Sequence, residues 1–278
     1  MSTISSNVSD FSCCYLIDED RTKINSEVTN EEIRSCLWAL KPFKAPGSDG
    51  LHVGFYQYFW SDVKNFVCTE VTEIFAQGSI PKYLNETLIS LIPRCQNPKS
   101  LSNYRPISLC NFVYKIVSKI VVARIRPHLG NLIFLVQTAF VLGRRGIDNV
   151  LIAQKLFHAL DNKKGRVGFI DVKLDLEKVY DRLEWSFIHR VLQAFNFPPK
   201  LTKVIMSCVT TSSISILVNR GALESFEPSK GIRQRDPLSP YLFIVCMEYL
   251  GHLIKQKCLD GVWIPLKASR ENLGFSHL

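Results

Sequence analysis

Apolar residues recur at two spacings along the chain, one helical and one strand-like. Thr29-Asn30-Glu31-Glu32 has the pattern of a capping box and predicts a helix running through Leu40, stopped near Pro42. Phe55, Phe59, Val63, Phe66, Val67, Val71, Ile74 and Phe75 predict a long amphipathic helix over 53–77, ended by Gly78 and Pro81. Residues 87–93 (TLISLIP) predict a strand. The segment 112–126 predicts a helix with Ile116, Val117, Ile120 and Val121 on its apolar side; Lys115 and Lys119 lie one turn apart on another side. Residues 168–174 (GFIDVKL) are apolar enough for a central strand, and 191–195 and 201–209 have helical patterning. Residues 213–219 and 224–229 flank Arg220-Gly221 as the arms of a hairpin, and 241–255 form a long apolar helix after Pro237-Leu238-Ser239-Pro240. Helices interspersed with short strands imply an α+β (mixed) fold. The polar residues 1–27 are expected to be a flexible segment.

Composition adds little until charge is mapped. At 278 residues and 46% hydrophobic, the chain can bury a sizeable core and is neither disordered nor collagen-like. The net charge is +9, and all of it sits in residues 87–147. That stretch carries Arg94, Lys99, Arg105, Lys115, Lys119, Arg124, Arg126, Arg144 and Arg145, with no Asp or Glu. Such a block suits a polyanionic partner, most simply nucleic acid; a solvated basic face is the alternative. The nine cysteines lack a CxxC pair and sit mostly in apolar contexts, as reduced intracellular thiols do, and Cys13-Cys14 has no histidine nearby to complete a zinc site. There is no signal peptide and no membrane-spanning stretch, so the protein is expected to be intracellular, nuclear or cytoplasmic, with no membrane partner.

Three segments can carry chemistry. Asp175 follows the apolar run at 168–174, where a carboxylate at a sheet edge can hold a divalent cation; capping of the next helix is the alternative. Tyr180, five residues on, either returns to the same place or is a core aromatic. Gly231-Ile232-Arg233-Gln234-Arg235-Asp236-Pro237 is a Gly-opened loop that can bring backbone close to a ligand, or simply starts a helix. Arg94 and Arg105, in a strand–loop–strand segment, can grip a triphosphate through charge-assisted hydrogen bonds; generic surface charge is the alternative, weakened because both sit in the acid-free stretch.

Five stretches in order carry a resemblance: KPFKAPGSDGLHVGFYQYFW, LIPRCQNPKSLSNYRPISLCNFVYKIVSKIVVARI, QTAFVLGRRGIDNVLIAQKLFH, VKLDLEKVYDRLEW and GIRQRDPLSPYLFIVCMEYL. Together they resemble the reverse transcriptase of non-LTR retrotransposons (the long interspersed element type), plant examples above all. The resemblance covers most of the chain. It implies a right-hand polymerase with a fingers-like basic region at 28–165 and a partial palm at 166–278, with the thumb absent. It implies an RNA template, a DNA primer and deoxynucleoside triphosphates as partners, and two Mg²⁺ ions that stabilise the attacking and leaving oxygens.

By position, the resemblance makes Asp175 the first palm carboxylate, ligating both ions with help from the Leu176 carbonyl. Tyr180 becomes the steric gate under the sugar, and Gln234 the loop glutamine beside the nucleotide. Arg94 and Arg105 neutralise its triphosphate. Lys115, Lys119, Arg124, Arg144 and Arg145 become nucleic-acid contacts. Two departures stand out. Arg235 replaces the glycine usual in the loop, which lets the backbone approach the nucleotide; an arginine side chain is expected either to block that approach or to demand an unfavourable φ. No Ala-Asp-Asp box follows Asp175. The chain is therefore expected to hold an incomplete metal site and to lack polymerase activity alone, with an inactive nucleic-acid-binding remnant as the alternative.

Overall fold

A computed structural model describes residues 15–162, 168–219, 221–266 and 276–277. Helix α1 (Asp18–Ile24) has acidic residues in its first turn and basic ones in its last, the arrangement the helix dipole favours. Leu16 and Ile24 are buried, and the Leu16 amide donates to the Phe195 carbonyl at 3.1 Å. Within the segment expected to be flexible, residues 15–27 are thus packed on the core through two apolar anchors. Cys13 and Cys14 lie outside the described residues.

Helix α2 (Asn30–Trp38) starts as expected, with the Thr29 side chain accepting from the Glu32 amide. The Glu32 carboxylate does not complete the capping box; it pairs with Arg124. The long helix predicted over 53–77 is two, α3 (Val53–Tyr58) and α4 (Trp60–Gln77), broken at Phe59. Gly78 ends α4 at φ +73°, with Lys203 packed 3.1 Å from where a Cβ would stand.

One four-stranded sheet runs β2-β1-β3-β4. Strand β1 (Glu86–Pro93) pairs antiparallel with β2 (Tyr104–Cys110), Leu88 opposite Leu109 and Ile92 opposite Arg105. It pairs parallel with β3 (Ser213–Val218), Ile89 opposite Ile216. The predicted hairpin is present but its second arm is short: β4 is Gly221–Ala222, followed by an isolated bridge between Ile214 and Phe226. The sheet crosses the boundary expected at 165/166: β1 and β2 precede it, and β3 and β4 follow it.

Helix α5 (Phe112–Ile125) fills the centre, with ten of its fourteen residues buried. A helix apolar nearly all round must be enclosed. Its start is clamped by the 44–50 loop. Asp49 Oδ2 accepts from the Phe112 amide at 2.9 Å, capping α5 from 63 residues away. Asn111 Oδ1 accepts from the Ser48 hydroxyl and the Asp49 amide. A Cβ on Gly47 would stand 2.5 Å from the Asn111 nitrogen, so the loop closes only on glycine. Short α6 (Leu129–Leu132) follows.

Helices α9 (Trp185–Ala194), α10 (Pro199–Thr210) and α11 (Ser239–Leu259) form where predicted, each longer than its pattern. Two segments depart from the sequence pattern. Helix α7 (Gly146–Asp161), not predicted, buries none of its residues. Residues 168–176 form no regular element and pair with no strand among the described residues, and Ile170, Val172, Leu174 and Leu176 are exposed. The expected central strand is therefore not formed: the period-two apolar pattern is present, but no neighbouring strand pairs with it among the described residues. No helix among the described residues is long and apolar enough to cross a membrane.

Candidate functional site

A cleft of about 210 Å³ lies between the sheet and the Gly231–Asp236 loop. Ile89, Ser108 and Ile214 line its sheet side, Gln234 and Arg233 its loop side, and Asp181 and Lys230 its rim. Backbone bonds hold the walls together. The Ile232 amide donates to the Tyr180 carbonyl and the Gly231 amide to the Leu183 carbonyl, both at 2.8 Å. Trp185 Nε1 donates to the Gly231 carbonyl at 2.8 Å. A Cβ on Gly231, which sits at φ +90°, would stand 3.1 Å from the Asp181 Cα and the Tyr180 oxygen. Glycine is needed there for both reasons. On the far side the Ser108 amide donates to the Gln234 carbonyl at 3.4 Å, tying the loop to the free edge of β2.

Helix α8 (Val179–Arg182) brings Tyr180 to this wall, where its ring stacks on Phe243 of α11 at 5.2 Å between centroids. Burial pushes the Tyr180 hydroxyl above its ordinary pKa, so it stays protonated. Asp175 and Leu176 are not in the cleft wall; they lie on the exposed, unpaired segment. Arg94 and Arg105 meet at the far end of the β1–β2 hairpin, where the Arg94 amide donates to the Asn103 carbonyl at 2.7 Å. Strand alternation puts Arg105 on the face opposite Pro106 and Ser108, outside the cleft. Gln234 thus lines the cleft and Tyr180 backs its wall through the carbonyl bonded to Ile232, while Asp175, Arg94 and Arg105 stand outside it.

The loop is anchored by a buried network that sequence patterning missed. Arg233 donates to Asn85 Oδ1 at 2.7 Å, Thr87 Oγ1 at 2.9 Å and the Cys208 carbonyl at 2.6 Å. Its guanidinium stacks over the Tyr114 ring at 4.0 Å, and its Nε lies 3.4 Å from Asp236 Oδ2. Asp236 also accepts from the Tyr114 hydroxyl and from the Leu238 amide. Burial drives the Tyr114 hydroxyl and the Cys208 thiol well above their usual pKa ranges, so both remain protonated. Two sequence signals pointed here: opposite charges three apart in a loop, and a tyrosine on an otherwise apolar helix, whose hydroxyl must find a partner. Between Arg233 and Asp236, Arg235 adopts φ +68°. The left-handed region costs a non-glycine residue roughly 1–2 kcal/mol, as the replaced glycine led us to expect.

The basic block divides sharply. Arg124 forms a bidentate pair with Glu32 at 2.8 and 2.7 Å and donates to the Ile24, Ser26 and Glu27 carbonyls. Arg144 donates to the Gly130, Ile133, Phe134 and Gln137 carbonyls, closing the turn after α6. Lys115 donates to the Ala45 carbonyl at 3.2 Å, and burial lowers its pKa. These three, expected to contact nucleic acid, are internal braces: partly buried cations take carbonyl and carboxylate partners wherever the fold offers them. Lys119 is half-buried on α5, and Arg145 is exposed with a 3.4 Å contact to Asp148. Among the described residues no three carboxylate, histidine or cysteine side chains converge as a metal site.

The chain matches the family described as "Reverse transcriptase (RNA-dependent DNA polymerase)" over residues 96–271. It is 27% identical over 237 residues to the "Transposon TX1 uncharacterized 149 kDa protein" of Xenopus laevis, covering 85% of this chain and 18% of that protein. It is 26% identical over 236 residues to the "Retrovirus-related Pol polyprotein from type-1 retrotransposable element R2" of Popillia japonica, covering 80% and 30%. It is also 26% identical over 228 residues to the "RNA-directed DNA polymerase from mobile element jockey" of Drosophila melanogaster, covering 79% and 24%. The chain spans less than a third of each of these curated relatives.

Proposed function

The chain belongs to the reverse transcriptase (RNA-dependent DNA polymerase) family, and from that premise we propose that it is the RNA-directed DNA polymerase domain of a non-LTR retrotransposon. The supporting observation is a convergence. The residues after Asp175, the Gly231–Asp236 loop and strand β2 are far apart in the chain, yet they bond to one another around one cleft. In this reading the cleft receives the base and sugar of an incoming deoxynucleotide. Gln234 lies beside the nucleotide, and Tyr180, held by Phe243, bars a 2′-hydroxyl. Arg94 and Arg105 provide cations for its phosphates. RNA template and DNA primer follow the exposed basic surface, and the chain works inside the cell. The fingers-like region runs to about residue 165 by this assignment, and the palm-like part follows.

Asp175 and the Leu176 carbonyl are the oxygens the chain offers to Mg²⁺. Two oxygens on an open segment fall short of the octahedral set this ion demands, so the metal enters no step here. The catalytically inactive binding remnant is not favoured, because the family match over residues 96–271 takes in β2, the Asp175 segment and the Gln234 loop rather than a basic surface alone.

Binding of an RNA-template/DNA-primer duplex tests the reading. Log affinity should fall linearly with log salt, with a slope near −0.9 for each phosphate contacted. Adding the deoxynucleoside triphosphate that matches the next template base should tighten the complex more than a mismatched one. No binding at low salt, or no discrimination between triphosphates, would contradict it.

A further inference from the structure

Arg235 combines three properties that a purely structural residue lacks. Its backbone is in the left-handed region at φ +68°, although its side chain has a Cβ. It is exposed, while both its neighbours are at least half-buried. Among the described residues its guanidinium makes no hydrogen bond or ion pair. The acid beside it offers no relief, because Asp236 is buried and committed to Arg233, Tyr114 and the Leu238 amide. The loop therefore holds a strained, unpaired cation in place through a rigid buried anchor on each side. Strain kept in this way points to function more than to stability.

Its position supplies the ligand. Gln234, the preceding residue, is bonded through its carbonyl to the Ser108 amide on the free edge of β2. Arg105 is exposed three residues along the same strand, about 10 Å away by strand rise. Arg94 stands next to it at the hairpin end. Arg94, Arg105 and Arg235 each lack an ion-pair partner among the described residues. All three are exposed on the edge strand, its hairpin end or the loop bonded to it, Arg94 and Arg105 on the sheet face opposite the cleft and Arg235 in the loop that walls it. Planar guanidiniums with free donor forks match phosphate oxygens.

We propose that Arg235 is a phosphate-binding residue that extends the Arg94–Arg105 cations to the cleft mouth, along the edge of β2. The ligand class is nucleotide phosphate, either the backbone of a polynucleotide strand or a free triphosphate. The inference rests on the polymerase reading above.

The test uses the full chain and four proteins: wild type, Arg235→Gly, Arg235→Asn and Arg235→Lys. Binding of a labelled RNA–DNA hybrid and of a deoxynucleoside triphosphate is measured separately across salt, beside urea unfolding. Glycine and asparagine suit the left-handed backbone, so both should unfold at equal or higher urea than wild type. Both should nevertheless lose roughly fivefold or more in affinity at low salt, with the hybrid's salt slope reduced by about one. Arg235→Lys keeps the charge and should retain most of the affinity. A loss confined to the hybrid assigns the residue to the strand backbone, and a loss confined to the triphosphate assigns it to the nucleotide; either supports the proposal. Affinity for both ligands within twofold of wild type in Arg235→Gly would overturn it. If wild type itself binds neither ligand, the polymerase reading fails instead.

Discussion

Replacing Arg233 with methionine should destabilise the protein more than any exposed charge substitution, and the structure sets the scale. The guanidinium makes three hydrogen bonds of 2.6–2.9 Å to Asn85, Thr87 and the Cys208 carbonyl, and it faces the Asp236 carboxylate. Methionine fills similar volume but leaves those three acceptors and a buried carboxylate short of a donor. Removing one partner of a buried ion pair costs about 3–5 kcal/mol. The whole domain is stable by only about 5–15 kcal/mol. With an unfolding slope in urea of about 3 kcal/mol per molar, the midpoint should fall by about 1–1.7 M. Arg233→Lys should recover little, since one ammonium cannot serve acceptors on β1, α10 and the loop together. Replacing both charges, as in Arg233→Met with Asp236→Leu, should be milder than Arg233→Met alone, because it removes the orphaned carboxylate. Equilibrium urea unfolding followed by tryptophan fluorescence reads all three. A shift under about 0.3 M for Arg233→Met, or additive effects in the pair, would refute the network as an anchor of the Gln234 loop.

Other consequences follow from the same packing. Gly47→Ala places a Cβ 2.5 Å from the Asn111 nitrogen and should cost about 1–3 kcal/mol by urea titration, since the contacting atoms are backbone. Arg124→Met should lower stability by about 3 kcal/mol, since it breaks the pair with Glu32, and leave duplex affinity unchanged. Arg105→Ala should do the opposite, weakening binding without moving the urea midpoint. His252 and His277 have pKa values pushed down by burial, then by Lys255. Their folded forms bind fewer protons than the unfolded chain, so stability is full above the ordinary histidine value of about 6.5 and is lost as pH falls below it. The urea midpoint should drop between pH 7.5 and 5.5, and drop less when both are changed to glutamine.

Helices α2, α4, α5, α10 and α11 and the first two strands were legible because each carries its own period and punctuation. Thr29, Gly78 and the apolar sides of α4 and α5 specify their elements locally. Other features depend on partners far along the chain. Helix α4 appears continuous with α3 until packing breaks it at Phe59. Residues 168–174 have a strand's pattern, but pairing needs a neighbour that the pattern cannot supply. The basic block marked a charged region correctly in bulk, yet nothing in composition separates Arg124, bound to Glu32, from Arg105, facing solvent. The loop from Gly231 to Pro240 was recognisable by resemblance. Its anchor was not, because Asn85, Thr87 and Tyr114 come to Arg233 from positions more than a hundred residues earlier.

The central proposal is that this chain serves templated deoxynucleotide addition, with Asp175 the carboxylate it is proposed to offer to Mg²⁺. Primer extension on an RNA template measures this most directly, using the protein expressed from its whole natural reading frame, with and without Asp175→Asn. The account predicts incorporation dictated by the template base in the wild type and its loss by several orders of magnitude in the variant. Absence of incorporation in the wild type, or incorporation that survives Asp175→Asn unchanged, would contradict it.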